Sequence, residues 1–405
     1  MGNSSSSSSD ADDPRFAAAA RAFTPKELED LRSLFTSLAA RSQIDGKNYV
    51  SPEALKAYTG IDGELGDRVF DLTLQNPTDR RLTFRDLVIA KGTYERGNSE
   101  DIENFIYRVV DISNKGTITR LPDIVLVLTS IFNHVFHRAA MPEILRAFTD
   151  SANFTDDSLS EEEFRRWCNR IPAVRKFLGG NLLIPSSDPV PKLQYNMDDD
   201  HQVLLRKEYA WHIAGAMSIN ELQEWKLLYH SSVHGLSFNT FLANIQNDGP
   251  TVLIIKDDEG YVYGGYASQP WEKHSDFYGD MKSFLFQLYP KASIFRPTGS
   301  NRNLQWCGVN FSSDAIPNGI GFGGRVHHFG LFVSAQFDKG HTFPCTTFAN
   351  PCLSKDTRIR PKVIECWGVM MHQNRAEGGV KGTVLERFKE DRHMLNMVGL
   401  ANSSD

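Results

Sequence analysis

The chain has 405 residues, enough for two or three domains with substantial cores, and 40% of them are hydrophobic against 23% charged. A net charge of −6 lacks the basic surplus of a nucleic-acid binder, no run approaches the ~20 apolar residues of a membrane span, and no basic-then-apolar signal peptide opens the chain. Five cysteines, an odd number with no C-x-x-C pair, read as reduced thiols in a cytosolic setting and argue against a zinc ribbon.

Met1-Gly2-Asn3-Ser4-Ser5-Ser6 fits the N-myristoylation pattern, with Gly2 as acceptor and Ser6 at the small-hydroxyl position. Residues 1–22 read as a disordered Ser-rich tail that would present this glycine. A single myristoyl chain binds membranes weakly and reversibly, on the order of 10⁴ M⁻¹. The usual second signal is missing: the tail carries Asp10, Asp12 and Asp13 against Arg15 and Arg21, and no cysteine for palmitate. A partner protein on the membrane is the natural second anchor.

Residues 23–178 read as helical. Thr24-Pro25-Lys26-Glu27 has an N-cap, a proline at the first helical position and a glutamate at the third, followed by Leu28, Leu31, Leu34, Phe35 and Leu38 at helical spacing. Four units then share an aliphatic residue followed at once by Ser or Thr: Val50-Ser51, Leu82-Thr83, Ile118-Thr119 and Leu159-Ser160, at steps of 32, 36 and 41 residues. Helices flank each unit, and Ser160 with Glu163 makes a capping box.

The pattern resembles an EF-hand, in which the aliphatic residue sits in a short β-bridge at the eighth loop position and the next residue caps the exiting helix. A calcium loop also needs oxygen ligands at positions 1, 3, 5, 7 and 9, a glycine at 6 and a bidentate glutamate at 12. The third unit has Asp111, Ser113 and Gly116 at positions 1, 3 and 6, but Lys115 at 5 and Pro122 at 12. The fourth keeps Glu163 at 12 but has Ala152 and Phe154 at 1 and 3, so Asp150, Asn153 and Asp156 would serve only in an expanded loop. Gln43 and Ala54 end the first loop, and Gln75 and Asp86 the second. The ligand count favours a structural bundle without metal, leaving Asp111, Ser113, Asp150, Asp156 and Glu163 as the calcium candidates.

Residues 179–203 read as a linker, from Gly179-Gly180 through Pro185-Ser186-Ser187-Asp188-Pro189-Val190-Pro191, a semi-extended spacer, to a solvated Asp198-Asp199-Asp200 patch. Residues 204–371 change pattern. Ser218-Ile219-Asn220-Glu221 predicts a capping box opening a helix with Leu222, Trp225 and Tyr229 on one face, and Phe238, Phe241, Leu242 and Ile245 a second. Thr251–Lys256 and Tyr261–Tyr266 flank Asp257-Asp258-Glu259-Gly260 as a hairpin. Further strands are expected over Phe284–Leu288, Ser293–Arg296, Leu304–Val309, Phe329–Val333 and Val363–Val369, which together suggest a β-sandwich. In the tail, residues 372–405, Gly382 to Leu400 read as one more helix, either packed on its own domain or offering spaced anchors to a partner groove.

Several spaced motifs in order carry a family resemblance. Trp225-Lys226-Leu227-Leu228-Tyr229-His230-Ser231 with Gly235 and Phe238, then Gly264-Gly265-Tyr266, Gly321-Phe322-Gly323-Gly324 with Gly330-Leu331-Phe332, Phe348-Ala349-Asn350 with Leu353, and Ile364-Glu365-Cys366-Trp367-Gly368-Val369 resemble a TLDc domain over roughly residues 204 to 371. With Gly2 and the EF-hand-like units, the whole chain resembles the lipid-anchored TLDc proteins linked to lysosomal mTOR signalling. The resemblance implies a two-sheet sandwich with short helices, a role in oxidation resistance and contact with the V-ATPase proton pump. It brings no accepted catalytic residues. Gly264, Gly265, Gly323, Gly324, Glu365 and Trp367 are the motif residues taken as partner-binding candidates.

Other chemistry has a weaker case. His230 and His234 have zinc-helix spacing, but Ser231 stands where H-E-x-x-H needs glutamate. Gly321-x-Gly323-Gly324 lacks the third glycine of a dinucleotide fingerprint, and tight β-turns explain its glycines better. His327-His328 beside Arg325 could bind an anion or simply form an exposed turn, and Glu365, if buried, needs a donor. Cys345, after His341, is the best redox candidate, with Cys307 next and Cys366 read as core. The fold class expected is therefore multidomain α + β: an all-α EF-hand-like bundle, a TLDc β-sandwich and a C-terminal helix. The leading function is a non-catalytic, membrane-tethered adaptor on the cytosolic face of lysosomal or vacuolar membranes. It would act on V-ATPase subunits or mTOR-complex components, without nucleic acid and without a cofactor. A thiol-dependent antioxidant enzyme and a calcium-responsive sensor are the alternatives.

Overall fold

The computed structural model describes residues 13–370, apart from 43–48, 77, 79, 95, 155–156, 181–189, 197–202, 219–220, 222 and 246–248. The helix expected over 382–400 and the Asp198–Asp200 patch lie outside the described residues. The N-terminal half is built from α1 (Pro14–Ala20), α2 (Pro25–Arg41), α3 (Pro52–Thr59), α4 (Gly63–Thr73) and α5 (Phe84–Tyr94). It continues with α6 (Ser99–Val110), α7 (Val125–Phe136), α8 (Pro142–Asp150), α9 (Glu161–Arg170) and α10 (Pro172–Gly180). Local chemistry sets the starts. Thr24 and Glu27 form a reciprocal capping box on α2, Ser160 and Glu163 another on α9, and Ser51 caps α3 by accepting from the Ala54 N–H.

The four aliphatic residues of the repeated units pair two by two. Val50 and Leu82 form an antiparallel bridge, and β1 (Ile118–Thr119) pairs with β2 (Ser158–Leu159) so that Ile118 faces Leu159. All four are buried, so each bridge also fills the core between its flanking helices. The first helix falls inside the stretch read as tail. Asp13 caps it by accepting from the Arg15 N–H and pairs with Arg85. Gly92 of α5 lets it approach, because a Cβ there would stand 2.7 Å from the Ala19 methyl.

The C-terminal half holds α11 (Lys207–Ala214), α12 (Ser231–His234), α13 (Phe238–Ile245) and two sheets. One sheet runs through β3 (Lys192–Gln194), β4 (Glu224–His230), β5 (Thr251–Asp257), β6 (Val262–Ala267), β7 (Phe284–Tyr289), β8 (Ser293–Phe295) and, last in the chain, β14. The other contains β9 (Gln305–Gly308), β10 (Gly319–Arg325), β11 (His328–Ser334), β12 (Gly340–His341) and β13 (Arg358–Ile359), while β14 spans Pro361–Met370. The spatial orders are β3-β4-β14-β5-β6-β7-β8 and β13-β12-β11-β10-β9. Neighbours are antiparallel except β3 and β4, which run parallel. β3 comes from the 179–203 stretch read as a linker, just after its proline-rich spacer.

The helix predicted after Ser218 is instead the strand β4. Half of the capping box does form, with the Glu221 carboxylate accepting from the Ser218 N–H and hydroxyl, while the Glu221 N–H donates to the Ser218 carbonyl. However, Tyr266 donates to the other Glu221 oxygen and the Trp225 indole to the Glu221 carbonyl, so the turn stays short. Trp225 and Leu227 then pair with Val369 and Trp367 of β14, where the aromatic-rich run gains a ladder partner. The glycines Gly321, Gly323 and Gly324, expected in a tight turn, lie in β10 instead.

The seven-stranded sheet is covered on both faces. Tyr229, Leu253, Ile255 and Tyr263 meet Ile320, Phe322 and Leu331 of the second sheet. From the opposite face, Val252, Ile254, Phe284 and Trp367 join a core continuous with the helical half. Double coverage explains why β5 reads Val-Leu-Ile-Ile without alternation. The helical half is therefore packed on the sandwich. Trp211 of α11 contacts Phe132, Phe136 and Phe148, the Ala292 N–H donates to the Ala147 carbonyl, and a Cβ on Gly215 would stand 2.3 Å from the Ala173 nitrogen.

His212 is fully buried in this junction, 5.0 Å from the Phe148 ring, and burial pushes its pKa down to about 3 although the Ser293 backbone opposes the shift. An unfolded histidine gains a proton near pH 6.5, whereas the folded one does not, so stability is complete above that value and falls as pH drops toward 3. Chemical-denaturant midpoints measured from pH 7 to pH 4 should therefore fall less steeply in His212→Leu than in the parent.

Candidate functional site

The most constrained polar group of the sandwich is Glu365, fully buried in β14 between β4 and β5. Its carboxylate accepts from the backbone N–H groups of Leu204 and Leu205 and from the Trp367 indole at 2.9 Å. His230 Nε2 stands 3.4 Å from the same carboxylate. The His230 Nδ1 accepts from the Ser232 N–H, which places a ring proton on Nε2, facing Glu365. The Leu205 N–H and the Trp367 indole would otherwise be buried without this acceptor, so the cluster is a tether between β14 and the chain entering α11.

Other buried acids do similar work. Asp257 accepts from the Tyr261 N–H and from the hydroxyls of Tyr263 and Ser354, closing the β5–β6 turn against the loop before β13. The Tyr263 hydroxyl is pushed far above its usual pKa by burial and by Asp257.

The motif residues Gly264, Gly265, Gly323, Glu365 and Trp367 are buried, and Gly324 is half-buried, so none of them forms an outward face. The glycines serve close approach. A Cβ on Gly265 would meet the Phe322 ring at 2.7 Å, across the two sheets, and one on Gly264 would strike the Leu253 carbonyl. Gly323 and Gly324 have φ of 66° and 81°, a left-handed backbone that disfavours any side chain. Trp367 faces the helices, its ring 5.9 Å from Tyr195. The most exposed large apolar side chains described in this half are elsewhere: Val233 and Leu236, 60% and 50% exposed, lie either side of Gly235 just after β4, and Met281, Tyr289 and Met370 are exposed as well.

In the helical half the acids hold the protein's own backbone. Asp111 accepts from the N–H groups of Lys115 and Gly116 and from the Ser113 hydroxyl. Asp123, one residue beyond the twelfth loop position, accepts from the N–H groups of Ser113 and Thr119 and from the Thr119 hydroxyl. It was not among the sequence candidates, although Thr119 followed by an acid four residues on is the signal that could have found it. Asp150 is 2.8 Å from the Arg120 guanidinium, a cation in the place of a metal, and Glu163 folds back onto Ser160. Asp156 and Gly2 lie outside the described residues. Among the described residues, no group of three or more His, Cys, Asp or Glu side chains is placed to hold a metal ion.

The remaining candidates separate. His234 lies in the short α12 and accepts through Nδ1 from the His230 N–H, so the two rings do not share a ligand face. Arg325, His327 and His328 form the exposed β10–β11 turn. Burial pushes the Cys307 and Cys168 thiols up to about 12 and raises Cys352, which keeps these sulfurs protonated at neutral pH. Half-buried Cys345 donates to the Asn350 side chain at 2.9 Å.

A closed two-sheet sandwich, pinned by a buried glutamate and seated on helices, defines the class: residues 199–370 match the family model described as TLDc domain, and this part of the chain is a TLDc domain. Among curated proteins, the chain is similar to the MTOR-associated protein MEAK7 of Mus musculus, at 33% identity over 62% of this chain and 56% of that protein. The protein of the same name from Gallus gallus is 27% identical, with 95% of this chain and 94% of that one covered. Oxidation resistance protein 1 of Mus musculus is 28% identical over 52% of this chain and 24% of that protein. The chain spans about half the length of the mouse and zebrafish MEAK7 proteins it matches. A solved chain of a PP2A PR70 holoenzyme covers 40% of this chain at 14% identity and a TM-score of 0.28, too slight a likeness to bear on the fold.

Glu365→Ala would strand several buried donors and should lower unfolding stability by roughly 3–5 kcal/mol, read in a urea titration. Gly265→Val should cost about 1–3 kcal/mol through overpacking against Phe322.

Proposed function

We propose that the chain is a non-catalytic, membrane-tethered adaptor. It acts through its TLDc domain on the V-ATPase or on an mTOR-type signalling assembly at the cytosolic face of a lysosomal or vacuolar membrane. The observation that carries this reading is the use of the buried acids: Glu365, Asp257, Glu221 and Asp123 are spent on N–H and hydroxyl groups of the chain itself. The polar chemistry supports a shape rather than a reaction. Similarity to proteins named as mTOR-associated, over nearly the whole chain in the chicken protein, supports the signalling partner. Similarity to Oxidation resistance protein 1 supports a role under oxidative stress. Exposed Val233 and Leu236 give the sandwich an apolar corner for docking.

The helical half is, in the same reading, an EF-hand-like bundle that works without calcium. The bridges between Val50 and Leu82 and between Ile118 and Leu159 support the bundle. The engagement of Asp111, Asp123 and Asp150 with protein donors supports the absence of a metal requirement. Calorimetric titration with millimolar calcium should release no heat of binding.

The deciding experiment is capture of the tagged full chain from detergent-solubilised membranes. Subunits of the proton pump or components of the mTOR assembly should co-purify; recovery of neither would remove the reading. Val233→Glu combined with Leu236→Glu should reduce that capture while leaving the melting temperature unchanged.

A further inference from the structure

The helices α1 and α2, with Phe84 of α5, line an open groove of about 390 Å³ away from the sandwich. Phe16 and Ala20, one turn apart on α1, form one wall, with Pro25 and Leu28 opposite and Phe84 between them. Arg32 lies over the Phe84 ring at 4.4 Å, and with Glu29 it gives the groove a charged rim of both signs. Phe16, Leu28 and Phe84 are only half-buried, so this apolar lining stands open.

The chain itself points to an occupant. The wall helix begins at Pro14, two residues before Phe16, so the twelve residues ahead of Asp13 are joined to the chain beside the groove. Twelve extended residues reach about 40 Å, against about 10 Å for the length of α1, so the N-terminus can turn back into the groove. The peptide has little with which to fill an apolar space: Met1 and Ala11 are its only apolar side chains. A fatty acyl group on Gly2 would supply what the peptide lacks, in a volume suited to a saturated chain of about fourteen carbons.

We propose that the groove between α1 and α2 binds a saturated fatty acyl chain, its resident being the myristoyl group on Gly2 of the same molecule. The inference rests on the lipidation reading and deepens it. The acyl chain divides its time between the groove and a bilayer, so membrane attachment depends on what opens or fills the groove. A chain held in the groove nine times in ten loses about tenfold in apparent affinity for vesicles.

The test uses the full chain co-expressed with an N-myristoyltransferase, with intact mass to establish acylation. If the mass shows no acyl group on Gly2, the lipidation reading falls, and self-occupancy with it. With acylation established, flotation on phosphatidylcholine vesicles is compared among the parent, Ala20→Trp, which fills the groove with an indole, and Leu28→Glu, which charges it. The proposal expects both variants to float about tenfold more tightly than the parent. Equal flotation of all three overturns it while leaving lipidation standing. Unacylated Gly2→Ala protein should also bind the fluorescent fatty acid cis-parinaric acid saturably and lose it on adding Ala20→Trp; no binding would refute the groove as an acyl site.

Discussion

A glutamate carboxylate removed from water must be met by donors, and the fold of this protein is arranged around one. Glu365 occupies the strand that links β4 to β5, and its donors come from the Leu204–Leu205 backbone, 161 and 160 residues earlier in the chain. The central strand and the approach to α11 therefore cannot be placed independently. Its neighbours on β14 divide the work: Ile364 and Cys366 enter the core between the sheets, while Trp367 and Val369 enter the core shared with the helices. One buried acid thereby fixes the register of a strand whose two faces serve different partners.

Legibility in the sequence followed the range of the interaction. The capping boxes at Thr24 and Ser160 and the hairpin at Asp257–Gly260 depend on residues within a few positions of one another, and each appears where the sequence indicates. The strand β4 did not, because Ser218 and Glu221 do make the local contact of a helix start. What turns the chain into a strand is the ladder to β14, which begins more than a hundred residues later. The TLDc resemblance was legible because its motifs recur in order, yet its glycines are explained only by what touches them, such as Phe322 against Gly265.

The candidate site was legible as residues and not as roles. Glu365 was identified as an acid that burial would force to find a donor, but His230 beside it was read with His234, because nothing local connects it with a strand so far along the chain. In the helical half, counting loop positions led to Asp111 and passed over Asp123, which sits one place beyond the position where a ligand was sought. Both acids answer a backbone need that a ligand count does not register.

The continuity of the larger core has a consequence for dissecting the chain. A cut between the halves, near residue 200, would expose the helix-facing side of the main sheet, with Val252, Ile254, Phe284 and Trp367 on one surface. Such a fragment would lose β3 from the edge of the main sheet, keep the rest of the ladder, and present a broad greasy plane to solvent, inviting self-association. The helical half thus acts as a permanent internal chaperone for the sandwich, and fragment experiments on either half would measure the lost cover as much as the domain itself.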